Sequence, residues 1–154
     1  MARSRMQTLP MWVAAAWFGS LTTLGFFVVP MLFMHLPTPA MAGAMAAKLF
    51  TAQTWISVAC GMLLLAIFRS NKPLAPVQTA QAATLFVVTG VLLAALVEFG
   101  VAPHILARDN LALWHRVGSA MYLLQWVCAL VVFGKLAGAP GRSTSSSRLS
   151  EAEI

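Results

Sequence analysis

Four long apolar runs, each closed off by prolines, charges or turn-forming residues, leave this chain little choice of fold. A helix needs about 20 apolar residues to cross a bilayer core about 30 Å thick, and in lipid its backbone N–H and C=O groups must be paired within the segment. Residues 10–36, 40–68, 79–101 and 111–136 meet that requirement. The chain is 60% hydrophobic and only 9% charged, whereas a soluble domain carries about 25% charged residues. The fold class that follows is all-α, an integral membrane four-helix bundle spanning 10–136. Its connectors are short, so successive helices run antiparallel, up-down-up-down.

The first run follows Arg3 and Arg5, as a signal peptide would, but is too long for one. A signal core spans about 7 to 15 residues, and this run continues through Leu24, Phe26, Phe27, Val28 and Val29. It reads as a retained helix of about 40 Å, which must tilt or bend, with Pro30 as the expected bend. Pro37 and Pro39 break the chain before helix two, whose first turns carry Ala40, Gly43, Ala44, Ala46 and Ala47. Such small residues let helix backbones approach closely in lipid. Arg69-Ser70-Asn71-Lys72-Pro73 makes the second connector, and Pro103 is expected to end helix three, leaving 103–110 as a polar loop. Residues 1–9 form a short N-terminal segment. Residues 137–154, with the run Ser143-Thr144-Ser145-Ser146-Ser147, are expected to be a disordered tail.

The net charge of +6 invites a nucleic-acid reading, but the ten basic residues do not form a patch. Arg3, Arg5, Arg69, Lys72, Lys135, Arg142 and Arg148 collect at one end of the four spans, whereas the other end offers Arg108 balanced by Asp109, with Arg116 nearby. The positive-inside rule then places both termini in the cytoplasm of an inner-membrane protein. The expected partners are the lipid bilayer and either a small ligand or a membrane protein, not nucleic acid; the oligomeric state is left open.

Helices two and four align at a fixed offset: Lys48 with Arg116, Thr51 with Ser119, Ala52 with Ala120 and Cys60 with Cys128. The helices before them share Val29-Pro30 and Val101-Ala102-Pro103. Two parallel hairpin repeats would produce this pattern, and so would chance alignment of apolar sequence.

Charges inside spans are the default functional candidates, since an ionised group near the bilayer centre costs about 2.5 to 3.5 kcal/mol. Lys48, Glu98 and Arg116 qualify, and all fall toward the outer ends of their helices. Glu98 is expected to pair with Lys48 or Arg116, leaving one cation to receive an anion or to snorkel to the interface. Helical spacing sets Lys48, Thr51, Ala52, Trp55 and Ala59 on one face and Ala80, Thr84, Val91, Ala94 and Glu98 on another. His115, Ser119, Tyr122 and Trp126 form a stripe beside Arg116. The candidate layer is therefore Lys48, Thr51, Glu98, His115, Arg116, Ser119 and Tyr122; ordinary helix packing is the competing reading.

His35, His104 and His115 match no metal or haem spacing, and Cys60 and Cys128 lie inside apolar runs, where free thiols behave as small hydrophobes. No phosphate loop, carboxylate pair or activated nucleophile is legible. No cofactor, no metal and no catalytic residue is assigned, and an enzyme is the less favoured class.

Trp17-Phe18-Gly19-Ser20-Leu21, Val28-Val29-Pro30-Met31-Leu32-Phe33, Ala42-Gly43, Lys48-Leu49-Phe50 and Trp114-His115-Arg116 resemble bacterial four-helix membrane proteins of unknown function. Those proteins are related to the transmembrane-protein-205-like family. The resemblance covers roughly 12–133 and implies a multi-pass inner-membrane protein without an established activity. The Trp-x-Gly-x-Leu opening is similar, more distantly, to copper-resistance D-type proteins and to four-helix protoporphyrinogen oxidases. That would imply copper or porphyrin handling, but this chain lacks the membrane histidines such chemistry would use.

Three functions stay open. One is binding or transport of a small anion, metal complex or lipid headgroup at a periplasm-facing polar layer; another is an accessory subunit of a membrane complex. The third is a haem- or porphyrin-handling redox protein.

Overall fold

The computed structural model describes residues 2–70, 77–107 and 109–138, with side chains described for 8–70, 82–107 and 109–138. Ala80, Arg3, Arg5, Lys72, Arg108, Arg142, Arg148 and the expected tail from residue 139 onward lie outside those side chains.

The described residues form four helices and contain no strand. Helix α1 comprises Ala2–Thr23, a π-turn at Leu24–Val28, and Val29–His35. Helix α2 is Pro39–Ser70. Helix α3 comprises Val77–Leu96, a second π-turn at Val97–Val101, and Ala102–Leu106; α4 is Leu111–Ala137. Within them Thr8–His35, Pro39–Ser70, Ala82–Leu106 and Leu111–Ala137 are long and apolar enough to cross a membrane.

Helix α1 packs on α2 and α4, and α3 packs on the same two, so the helices stand in the cyclic order α1-α2-α3-α4. The connectors before Pro39 and before Leu111 lie at one end of the bundle, here the connector end. Near the opposite end the core is built from Ala14, Trp17 and Leu21 of α1, Leu64 of α2, Val87 of α3, and Ala129 and Val132 of α4. Small residues set the spacing. A Cβ on Gly90 would lie 2.7 Å from the Trp17 ring, so the indole lies directly against the α3 backbone.

The outer surface is apolar, as a lipid-facing surface must be. Trp12, Met34, Trp55, Leu85 and Phe99 are all exposed.

Two expectations about proline change. Pro103 does not end helix three, and Pro30 is not a simple bend. A proline inside an α-helix lacks an N–H and its ring clashes with the carbonyl four residues back. Here each proline is preceded by a π-turn: Val29 N–H bonds the Leu24 carbonyl and Ala102 N–H bonds the Val97 carbonyl, five residues back in both cases. The wider turn shifts the register, so that Pro30 and Pro103 fall in the first turn of the next α-helical segment. The expected polar loop thus shrinks to a short turn in front of α4. Asn110, at φ 37° and ψ 58°, provides the left-handed residue at that corner, a conformation Asn tolerates better than most side chains.

Candidate functional site

The residues expected to form one outer layer divide into two groups. Glu98 sits in the α3 π-turn and is half-buried. Thr51 of α2 donates a hydrogen bond to its carboxylate, Oγ1 to Oε1 at 2.9 Å. Lys48 lies one helical turn from Thr51 and is exposed. Thr51 and Glu98 meet at the α2–α3 seam toward the connector end, with Lys48 on the exposed surface of α2 one turn away.

His115, Arg116 and Ser119 do not join them: all three are exposed on α4. Tyr122 turns into the bundle instead, donating to the Leu21 carbonyl at 2.8 Å and meeting the Phe50 ring edge-to-face at 5.2 Å. The expected ion pair of Glu98 with Lys48 or Arg116 is not present. Among the described residues, the carboxylate has no basic partner within 4.0 Å, and the acid–base contact that does occur is His104 with Asp109 at 3.6 Å. Glu98 turns toward α2, where the Thr51 hydroxyl reaches it first.

The expected inward face of α2 is also corrected. Ala52, Trp55 and Ala59 are exposed, and the buried face is Ala42, Ala46, Gln53, Thr54, Ser57, Gly61 and Leu64. That face carries a hydrogen-bonded seam absent from the sequence reading. Gln53 Nε2 donates to Ser20 Oγ at 3.0 Å and to Ser57 Oγ at 3.4 Å, and Gln125 Nε2 donates to the same Ser57 oxygen at 2.9 Å. Three helices are tied together, including the diagonal pair α2 and α4. Beside it, Trp126 Nε1 donates to Thr22 Oγ1 at 2.9 Å. Buried amides in apolar surroundings must be hydrogen-bonded, and a glutamine in the middle of each of two spans was the signal that could have revealed the seam. Trp17 Nε1, also buried, has no hydrogen-bond partner among the described residues.

The two π-turns are matched in kind, each followed by a proline two residues on. Ser57 and Gln125, hydrogen-bonded across the centre, stand 68 residues apart, the offset that relates Lys48 to Arg116 and Cys60 to Cys128.

Two of the three histidines are occupied locally. His35 Nδ1 lies 3.0 Å from the Met31 carbonyl, and His104 stacks on Trp114 with ring centroids 4.1 Å apart. Both cysteines are free thiols, and among the described residues no three His, Cys, Asp or Glu side chains converge. Toward the termini, Trp12, Val13, Ala16, Ala59, Cys60 and Leu63 line a shallow apolar cleft between α1 and α2.

Four apolar helices around a filled interior, with one carboxylate set into a seam between two of them, define a multi-pass membrane protein of the four-helix-bundle class. A family model for a domain of unknown function, DUF4149, matches residues 12–112, more than half of the chain, and the chain belongs to that family. Lys48, Thr51 and Glu98 fall within the matched stretch; His115, Arg116, Ser119 and Tyr122 follow it. No curated protein and no solved structure matches the chain.

Proposed function

We propose that this protein is a binding module of the inner membrane, with both termini cytoplasmic, that holds a small polar ligand or a lipid headgroup at the periplasm-facing α2–α3 seam. The observation that carries this reading is Glu98: an in-span carboxylate, half-buried, held by Thr51, with no basic partner among the described residues. Ionisable groups in spans are kept where they pair, bind or relay charge, because their insertion is costly. Arg69 and Lys135 in the last turns of α2 and α4 support the orientation.

Binding is favoured over conduction along the bundle axis. Phe50, Tyr122 and the Gln53-Ser57-Gln125 seam fill the interior between the helices. Helix α2, at 1.5 Å per residue, is about 48 Å long, so its ends extend beyond a core of about 30 Å. Lys48, about 14 Å from the α2 start, then falls close to the headgroup boundary, within reach of a snorkelling side chain.

Native mass spectrometry of the full chain released from mild detergent tests the reading. A co-purified small molecule or phospholipid is expected on the wild type and is lost from Lys48→Ala and Glu98→Gln, with helicity by circular dichroism unchanged. Equal retention in both variants rejects the site. The filled interior also suits an accessory subunit, for which the same experiment would show a protein partner and no small ligand.

A further inference from the structure

Building on that reading of Glu98, we infer that the α3 π-turn takes a small monovalent cationic group, either an alkali ion or a primary ammonium, and not an anion. The argument begins with the backbone. The carbonyl of Glu98 would normally accept from Ala102 in an α-turn or from residue 103 in a π-turn. Ala102 N–H is directed to Val97, and residue 103 is proline, which has no N–H. Its own helix therefore leaves that carbonyl without a donor.

The first π-turn has the same defect in different surroundings. Val29 N–H goes to Leu24, Pro30 offers none, and the Gly25 carbonyl is left in the position that Glu98 holds in α3. There the side chain of another helix packs over the turn: the Tyr122 ring lies against Gly25, so near that a Cβ on Gly25 would come within 2.6 Å of Cε1, and its hydroxyl donates to the Leu21 carbonyl. The α1 turn is thus covered by an aromatic ring whose hydroxyl donates to a carbonyl one turn earlier. At the α3 turn, the matching residue is a carboxylate instead of a glycine, and the side chain that reaches it is a small hydroxyl, Thr51.

The α3 turn thus carries a carboxylate and, on the same residue, a main-chain carbonyl lacking an in-helix donor, with a threonine oxygen bonded to the carboxylate. All are acceptors. A primary ammonium brings three N–H donors, and an alkali ion is held by oxygen ligands of this kind, including carbonyls at interrupted transmembrane helices. An anion would meet the Glu98 charge at close range in a medium that screens poorly. The basic side chains nearest in sequence depth, Lys48 and Arg116, are exposed on other helices.

Isothermal titration of the full chain in phosphatidylcholine nanodiscs tests this, because the choline headgroup has no N–H. One arm titrates sodium chloride against choline chloride; the other titrates ethanolamine hydrochloride. Saturable binding is expected in at least one arm, weakened about tenfold in Thr51→Val, which removes one charge-assisted hydrogen bond, and lost in Glu98→Gln. Glu98→Asp, which keeps the charge, is expected to retain measurable binding and guards against a folding artefact. Sodium alone identifies an alkali-ion site, ethanolamine alone an ammonium site. No saturable heat in either arm, or equal binding in Glu98→Gln, overturns the assignment. If that happens while Lys48 and Glu98 still govern a ligand in native mass spectrometry, the cation class falls and the binding module stands.

Discussion

At the scale of single residues, contact distance separates the glycines more sharply than composition does. A Cβ on Gly25 or Gly90 would come within 3 Å of the Tyr122 or Trp17 ring, whereas one on Gly19 or Gly43 meets nothing within 4 Å. Gly25→Ala and Gly90→Ala are therefore expected to destabilise the bundle by about 1–3 kcal/mol, the usual cost of overpacking. Gly19→Ala and Gly43→Ala should be neutral or mildly stabilising, since alanine is the better helix former. Denaturant unfolding in mixed micelles measures both pairs, and similar losses at all four positions would contradict the packing described. The Gly43 result bears on the sequence reading. The small residues at the start of α2 pointed to close helix contact, yet of those only Ala46 is buried there, and the tight approach occurs at Gly61, which meets Val91.

At the scale of the helix, proline position decides geometry. Both prolines follow π-turns, so the missing N–H falls where the hydrogen-bond register has already shifted. Pro103→Ala restores a donor that can reach the Glu98 or Phe99 carbonyl. The expected outcome is slower hydrogen–deuterium exchange across 97–103 and a weaker Thr51–Glu98 contact as the turn tightens toward α-helix. Unchanged exchange in that segment would show that the proline is not what holds the turn open. The number of spans was legible from apolar length alone, because span length is a local property set by bilayer thickness. The π-turns were not. A proline in a helical run has several remedies, including ending the helix or kinking it, and the packing of neighbouring helices, such as Tyr122 of α4 against Gly25, is not written in the local sequence.

At the scale of the whole molecule, the Gln53-Ser57-Gln125 seam fixes how the two hairpins sit against each other. Hydrogen bonds between transmembrane helices contribute about 0.6 kcal/mol on average and up to about 1.7. A double-mutant cycle of Ser57→Ala and Gln125→Leu is expected to show coupling of that size in unfolding free energy. Coupling indistinguishable from zero would mean that the diagonal contact adds nothing. The candidate site separates along the same lines. Lys48, Thr51 and Glu98 could be picked out in the sequence because charged and hydroxyl groups within a span are conspicuous. That Glu98 turns to Thr51, while His115, Arg116 and Ser119 face outward from α4, could not. A four-span membrane chain and the approximate place of each connector could be read from the amino acids alone, since these depend on runs of apolar residues and on proline and charge between them. Which face of each helix points inward emerges only from the packing. In helices that are apolar nearly all round, periodicity carries no phase, and the few buried amides and the closeness of backbones at glycine select the packing.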